Sequence, residues 1–367
     1  MPAVAADGER PLTILSVITP ARYSGAERAA VYLADALGDR GHRVVFACKR
    51  NELLLEALAE RGIEARVLPI SGKANLAAPL VLAWHARRVG ADLIHTHLST
   101  AGLWGSIGGH IAGIPVLASV HALNAKTCYM LADLVATCSE GVREHLLDQG
   151  MPEWKLRVLY NGVQLERFEG LPSGEQMRRE LGLPPDVPVI GEVAHLSPKK
   201  GQRYLIEATA ILRERYPDLI CLLVGEGDDA QALRDHAQAL DVGEAVRLLG
   251  YRGDAPAVMR AMDVVVLPSV AKEGLGIVLI EAGLMDRAVV GSNAPGIREV
   301  IVDGETGLLA PVADAEGLAE AIATILADPA LASRMGERGG ERARRMFTIE
   351  RMAETAEAIY RELLDEG

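Results

Sequence analysis

The residues best suited to chemistry lie in Lys272-Glu273-Gly274-Leu275-Gly276-Ile277-Val278-Leu279-Ile280-Glu281, which follows an apolar run at 264–267 and a Pro-Ser turn. The run reads as a strand, and the residues after Gly276 read as the start of a helix. Gly274 and Gly276 let a ligand come close to the backbone, and the first amides of a helix favour an anion. Glu273 falls in the turn and Glu281 about one and a half turns into the helix. Two carboxylates so placed suit hydroxyl recognition at both ends of a diphosphate held by the helix start. The plainer alternative is a capped helix with an acidic first turn. A second turn, His195-Leu196-Ser197-Pro198-Lys199-Lys200-Gly201, follows a run at 189–193 and offers Lys199 or Lys200 as a point charge for phosphate. Taken alone it is a solvated basic turn. A third, Val224-Gly225-Glu226-Gly227, says only that a backbone comes close to something.

In the first half of the chain, Ser24-Gly25-Ala26-Glu27 is a small turn opening a helix, a candidate anion or sugar cradle. His121 follows an apolar run at 116–120 and stands where a strand would end. A lone histidine is more often structural than catalytic, so its weight comes from that position. His95 and His97 form an H-x-H on a strand without a third ligand at metal-like spacing, and no metal site is expected. There is no G-x-S-x-G elbow, phosphate-binding Walker loop or cysteine–histidine constellation. Cys48, Cys128, Cys138 and Cys221 show no CxxC spacing and read as reduced, buried thiols of a cytoplasmic protein.

These turns need a frame, and the apolar runs supply one. A run at 12–18 is followed by Ala26, Ala30, Leu33 and Leu37 on one helical face, then by a run at 44–48. Strand, helix and strand in so short a span mark a parallel sheet with crossover helices. Further strands are predicted at 65–70, 93–97, 116–120, 134–137 and 157–160, with a helix from about Gly102. Leu171-Pro172-Ser173-Gly174 and Gly182-Leu183-Pro184-Pro185-Asp186-Val187-Pro188 interrupt the rhythm and mark a domain boundary. A second alternation predicts strands at 189–193, 220–224, 245–248, 264–267 and 288–290. At the end, Ile349, Met352, Ala353, Ala356, Ile359, Tyr360 and Leu363 share one face of a helix that must pack on something.

Composition narrows the class. The 367 residues are 49% hydrophobic and 24% charged, which excludes a disordered chain and suits two domains. The net charge of −12 argues against a general nucleic-acid binder. It is uneven: residues 1–165 hold 16 Lys+Arg against 15 Asp+Glu, and the remainder holds 22 against 35. The first ten residues lack a basic start and a long apolar core, so no secretory signal is expected. The uncharged stretch 93–125 contains glycines, Pro115 and four histidines, and reads as a helix and a buried strand, not a membrane span.

With these residues assembled, the chain resembles the family 4 retaining glycosyltransferases of GT-B fold over nearly its whole length. The most specific match is the E-x7-E element from Glu273 to Glu281 with Leu267-Pro268-Ser269 before it. Ser24-Gly25-Ala26-Glu27, Val120-His121-Ala122, Ala132-Asp133-Leu134-Val135 with Cys138-Ser139, Tyr160-Asn161-Gly162-Val163, Lys200-Gly201, Val224-Gly225-Glu226-Gly227, Leu249-Gly250-Tyr251 and Asp303-Gly304-Glu305-Thr306-Gly307-Leu308-Leu309 support it in the same order. The resemblance implies an α/β protein: two Rossmann-like, doubly wound parallel-sheet domains facing a central cleft. Residues 1–165 would form the acceptor domain, joined by a crossover helix at about 348–367, and residues 166–347 the nucleotide-sugar donor domain.

By the same resemblance, Glu281 would bind the nucleotide ribose and Glu273 hydroxyls of the transferred sugar. The backbone of Gly274, Leu275, Gly276 and Ile277 would hold the diphosphate, together with Lys200. The family's usual arginine five positions before that lysine is His195 here, which removes a permanent charge and makes one diphosphate contact weaker or pH-dependent. Gly25 matches the loop that closes over the phosphates, His121 a histidine beside the donor sugar, and Asn161 a position near the acceptor. Arg252 would neighbour the base. His121, Glu273 and Lys200 are thus the candidate catalytic residues, with no cofactor and no metal.

The expected reaction moves a hexosyl group from a UDP-linked or similar sugar to a saccharide or lipid-linked acceptor in surface-polysaccharide or lipopolysaccharide assembly. It would take place in the cytoplasm or peripherally at the inner membrane face. A nucleotide-sugar epimerase on the same fold would need an acid and a base that the chain does not display. A non-catalytic nucleotide-sugar-binding protein is left open by His195.

Overall fold

The computed structural model describes residues 10–271 and 273–365. The segment 1–9, on which the expectation about a secretory signal rests, and Lys272 of the glutamate motif lie outside the described residues. The chain divides into two compact units, one of residues 1–164 with 348–367 and one of residues 165–347.

The first unit runs β1 (Thr13–Ile18), α1 (Gly25–Asp39), β2 (Arg43–Cys48), α2 (Glu52–Glu60), β3 (Glu64–Val67), α3 (Ala78–Val89), β4 (Leu93–His97), α4 (Ser99–Ala112), β5 (Val116–Val120), β6 (Leu134–Thr137), α5 (Glu140–Asp148) and β7 (Leu156–Val158). Its strands form one parallel sheet in the order β3-β2-β1-β4-β5-β6-β7. The order reverses between β1 and β4, the place where doubly wound sheets bind ligands. The uncharged stretch 93–125 holds β4, α4 and β5; α4 is closed by Gly113 at φ 67, a left-handed cap. No helix of the described residues is long and apolar enough to cross a membrane.

The second unit runs α6 (Gly174–Glu180), β8 (Val189–Val193), α7 (Gln202–Arg213), β9 (Ile220–Val224), α8 (Ala230–Ala239), β10 (Val246–Gly250), α9 (Ala255–Arg260), β11 (Val264–Leu267), α10 (Ile277–Leu284), β12 (Ala288–Ser292), β13 (Leu308–Ala310), α11 (Ala315–Ala327) and α12 (Pro329–Met346). Its parallel sheet has the order β10-β9-β8-β11-β12-β13 and reverses between β8 and β11.

The last helix, α13 (Ile349–Asp365), belongs to the first unit. Its seven periodic apolar residues are all buried, six of them in one cluster with Leu12, Ile14, Leu33, Leu37 and Leu117. Polar contacts set its register: Glu357 bonds Arg40 and His42, Arg157 pairs with Glu362, and the Tyr360 hydroxyl meets His95 Nδ1 at 2.7 Å.

Six predicted strands, at 93–97, 116–120, 134–137, 189–193, 220–224 and 264–267, coincide with β4, β5, β6, β8, β9 and β11. Elsewhere the bounds move. The run 65–70 gives only β3 at 64–67, because Leu68 and Pro69 leave the edge of the sheet. The helix predicted from Gly102 starts three residues earlier, at Ser99. The run 157–160 shortens to β7 at 156–158, which frees Asn161 to lie beyond the sheet.

Candidate active site

In the second unit, the chain leaving β8 and the chain leaving β11 touch. Gly201 has φ +76, and a Cβ there would lie 2.0 Å from the Pro268 carbonyl oxygen, so only glycine fits. The Val270 amide donates to the Lys199 carbonyl at 3.0 Å. This junction puts Lys200 beside the glutamate motif: Lys200 Nζ donates to Glu273 Oε1 at 2.8 Å, and the buried Ser269 hydroxyl donates to the same oxygen. Of the two lysines offered by the sequence, the structure brings Lys200 to the glutamate.

The glycine turn 224–227 is also accounted for. Gly225 has φ +141, with an added Cβ 2.0 Å from the Ala194 carbonyl, and the Leu196 amide donates to Glu226 at 2.9 Å. What it approaches is the chain's own turn at 194–196. His195 in that turn is exposed, and its carbonyl accepts from Gln202. Glu281 lies about one turn into α10, since the helix begins at Ile277. Its carboxylate meets Arg167 at 3.1 Å. Gly283, on the same helix, crosses α12 so tightly that a Cβ would sit 3.1 Å from Gly339.

One expectation changes. The amides of Gly276 and Ile277 are not open: they donate to Gly296 at 3.2 Å and to Leu275 at 2.8 Å. Gly274, Leu275 and Val278 are the positions whose amides make no hydrogen bond among the described residues, so any backbone cradle centres there. Arg252 follows β10, the edge strand, and both its hydrogen bonds go to Asp254 at 2.8 and 2.6 Å. One strand, β9, lies between β10 and β8, the strand that leads to Lys200, and two lie between β10 and β11.

A residue that sequence reasoning passed over completes this edge. Glu192 on β8 is 1% exposed, and neither carboxylate oxygen has a hydrogen-bond partner among the described residues. Its neighbours across the sheet are Leu223 on β9 and, one register step on, the apolar face of β11. Burial pushes its carboxyl well above the ordinary 4.5; the nearby Lys200 opposes that rise and Glu273 adds to it. Glu192 is therefore protonated near neutral pH, and Lys200 with Glu273 forms a neutral pair instead of a net negative cluster. A polar residue inside an apolar run was the available signal.

In the unfolded chain this carboxyl ionises near its ordinary 4.5, while in the fold it keeps its proton. The unfolded state binds fewer protons, so stability falls as pH rises above that value, by about 1.4 kcal/mol per unit until the folded group ionises. Glu192→Gln is expected to raise the melting temperature at pH 8 and leave it unchanged near pH 4. Calorimetry at the two pH values checks this; equal melting of variant and wild type at pH 8 would contradict it.

In the first unit, the loop after β1 ends in Ser24, whose amide and hydroxyl both donate to Glu27 at 3.0 and 2.7 Å. Gly25 has nothing within 4 Å of a built Cβ, so packing does not demand glycine and the space is open to a ligand. Leu98 follows β4 at φ 73 and ψ 161, a region nearly reserved for glycine and worth about 1–3 kcal/mol of strain. This outlier sits at the sheet reversal.

His121 follows β5, the strand beside β4. The register of β4 with β5 pairs His97 with Ser119 and brings His97 Nδ1 to 3.3 Å from His121 Nε2. His95 spends both ring nitrogens on Tyr360 and Ser119, at 2.7 Å each. It is a structural histidine. Burial pushes His121 down to about 4, with Asn161 and the Glu27 charge pulling the other way. His121 is neutral at pH 7 and offers hydrogen bonds, not a charge. Its Nδ1 and the Oδ1 of the buried Asn161 have no hydrogen-bond partner among the described residues. Together they can receive a hydroxyl. Glu27, His97, Ser269, Arg167 and Glu192 are thus the neighbours that the sequence did not assign.

Two doubly wound parallel sheets, each with polar loops at its reversal, are the architecture of a GT-B glycosyltransferase. The family model for glycosyl transferases group 1 matches residues 173–342, and that for glycosyltransferase family 4 matches residues 23–167. Over 340 residues the chain is 31% identical to the phosphatidyl-myo-inositol mannosyltransferase of Mycolicibacterium smegmatis, covering 88% of this chain and 86% of that one. It is 34% identical to the lipopolysaccharide core biosynthesis glycosyltransferase LpsE of Rhizobium meliloti, over 57% of this chain and 58% of that protein. The crystal structure of Anabaena Alr3699/HepE in complex with UDP-glucose superposes with a TM-score of 0.83 at 25% identity, over 95% of this chain and 99% of that one. The chain belongs to the family 4 glycosyltransferases of GT-B fold.

Proposed function

We propose that the protein is a retaining hexosyltransferase that moves a hexosyl group from a nucleotide-diphosphate sugar, UDP-linked, to a saccharide or lipid-linked acceptor. The acceptor belongs to surface-polysaccharide or lipopolysaccharide assembly, and the site is the cytoplasm or the inner membrane face. The observation that carries this reading is the Lys200–Glu273 pair at 2.8 Å at the reversal of the second sheet, with Glu281 a turn into α10. The UDP-glucose complex of HepE supports the donor class, and the lipopolysaccharide and phosphatidylinositol relatives support the acceptor class.

The proposed mechanism follows the charge. As the anomeric carbon–oxygen bond to the diphosphate breaks, positive charge grows on the sugar and negative charge on the leaving phosphate. Lys200 and the amides about Leu275 and Val278 stabilise the phosphate in a partly dry setting, without a metal. Glu273 then serves the sugar hydroxyls and Glu281 the ribose. The acceptor oxygen attacks from the face the phosphate leaves, and its proton passes to the departing phosphate oxygen, so configuration is retained. His121 and Asn161 position hydroxyls; a neutral imidazole suits that role.

The test is a panel of nucleotide sugars and a nicotinamide dinucleotide screened for thermal stabilisation, with product analysis of each hit in the presence of EDTA. The reading expects a UDP-sugar to stabilise the protein and to yield nucleoside diphosphate and a sugar of unchanged anomeric configuration. An epimerised donor would make it an epimerase, and a bound but unchanged donor a binding protein. Stabilisation by the nicotinamide dinucleotide alone would overturn the reading.

A further inference from the structure

α3 covers the first unit with Leu82, Ala83, His85 and Ala86 and turns a second apolar stripe outward. Leu76, Leu80 and Trp84, spaced four apart, are 79%, 60% and 59% exposed. Four-residue spacing sets them on one side of the helix and the turn before it. Burial inside the fold does not explain them, and single exposed leucines would need no explanation, but a continuous row of this size does.

The charge beside the row has one sign. The Arg88 guanidinium lies 5.1 Å over the Trp84 ring, and Arg87 is exposed on the last turn of the helix. The groove along Trp84 adds Arg43 and Arg66 and a single carboxylate, Glu64, which is bridged to both. A net positive neighbourhood in a chain of net charge −12 is a local feature, not a reflection of composition. The pattern recurs in the same unit: Trp154 is 62% exposed with Lys155 Nζ 5.2 Å over its ring. Leucines and tryptophans rimmed by arginine and lysine match the two layers of a lipid interface. The rings enter at the headgroup level and the cations meet anionic phosphates.

We propose that the outer face of α3, from Leu76 to Arg88, docks on an anionic phospholipid surface. The proposal rests on the reading of a lipid-linked or membrane-borne acceptor and names the face that brings the enzyme to it. Charge complementarity selects this occupant over a second copy of the chain, because a two-fold contact would set Arg43, Arg66 and Arg88 against the same arginines of the other copy.

The experiment is flotation of the full chain with vesicles of phosphatidylcholine, with and without about 30% phosphatidylglycerol, at ~0.1 M salt. The wild type is expected to bind the anionic vesicles at least about tenfold better than the neutral ones, and Leu80→Glu, Trp84→Glu and Arg88→Glu each to lose about tenfold or more. Leu76→Glu, in the turn before the helix, supplies a variant with the least reach into packing. Equal binding by wild type and variants would overturn the proposal, as would the absence of binding to anionic vesicles. A dimer seen by light scattering and abolished by Trp84→Glu would assign the face to a second copy and also overturn it. Donor turnover measured without vesicles is expected to be unchanged in all four variants. Binding is read without donor and turnover without lipid, so failure of this surface is told apart from failure of the glycosyltransferase reading.

Discussion

Lys200→Ala is expected to slow donor turnover about 10³-fold, an effect of roughly 4 kcal/mol on the barrier. The size follows from what the lysine does in the proposed reaction. It is the side-chain cation that the second unit holds beside Glu273, and charge builds on the leaving phosphate only as the bond breaks. Its loss therefore falls on kcat more than on donor binding. Little stability should go with it. The pair is 27% and 16% exposed, Glu273 retains the Ser269 hydroxyl, and a partly exposed ion pair is worth up to about 1 kcal/mol. Lys200→Arg should recover part of the rate, since charge is kept but a planar fork replaces a compact ammonium. Steady-state release of nucleoside diphosphate, with a thermal melt of each variant, checks this. A Lys200→Ala enzyme within tenfold of wild type would remove the lysine from the mechanism.

The second large effect is on stability. Acidification from pH 7.5 to pH 5 is expected to destabilise the first unit by about 6 kcal/mol, roughly a 10–20 °C drop in its melting transition. His95, His97 and His121 lie together at the end of its sheet. Burial holds all three below the ordinary 6.5: His95 at about 3, with His121 adding to the effect; His121 at about 4; and His97 well below 6.5, with both neighbours adding to the effect. The unfolded imidazoles take up protons as pH falls through about 6.5, and the folded ones do not. The unfolded state then binds more protons, and stability present above that pH is lost below it, by about 2 kcal/mol per histidine at pH 5. The second unit should behave oppositely, because Glu192 favours the fold as pH falls toward 4.5. Calorimetry should thus show one transition falling and the other rising or holding over the same range. His97→Gln should flatten the acid slope of the first by about 1.4 kcal/mol per pH unit. A first-unit transition independent of pH between 5 and 7.5 would contradict the neutral histidine cluster.

How much of this could be read without coordinates depended on how far each feature is local. Strands buried on both faces are short apolar runs between turns, so 93–97, 116–120 and 220–224 were legible to the residue. An edge strand lacks that signature: β3 keeps Glu64 and Arg66 and exposes Val67, and apolar content carried its predicted end too far. β13, three residues at the far edge of the second sheet, went unread although Leu308 and Leu309 stood in a quoted motif. The final helix was legible as amphipathic, while its docking through Tyr360 to His95 depends on residues 265 apart.

The site divides in the same way. Glu273, Glu281 and Lys200 stand in turns after apolar runs, which sheet reversal makes ligand-facing. Which lysine meets Glu273 was legible from the family resemblance but not from the turn alone, where it is decided by the contact of Gly201 with Pro268. Of the amides expected to meet a diphosphate, Gly274 and Leu275 are open among the described residues, while Gly276 is spent on Gly296, in a loop twenty residues further on. His97 reads as half of an H-x-H, yet its partner is His121, through the β4–β5 register and not through spacing. Glu192 was passed over for the opposite reason. A single acidic residue in a strand is ordinarily turned to water, and only tertiary packing leaves both of its oxygens buried and unpaired.

The charge asymmetry takes a definite form in this light. The acidic second unit holds its candidate diphosphate site with Lys200 and a few amides, a local device that needs no broad positive field. In the first unit three arginines, Arg43, Arg66 and Arg88, line the groove along Trp84.

The central claim is that donor cleavage occurs at the Glu273–Lys200 edge of the second unit, and Glu273→Ala tests it most directly. With the stabilising nucleotide sugar in excess, release of nucleoside diphosphate is followed for wild type and variant in EDTA, with melting curves to establish that both are folded. The account predicts turnover by the wild type and none above background by a Glu273→Ala protein that melts as the wild type does. A folded Glu273→Ala protein that turns over the donor at close to the wild-type rate would contradict it.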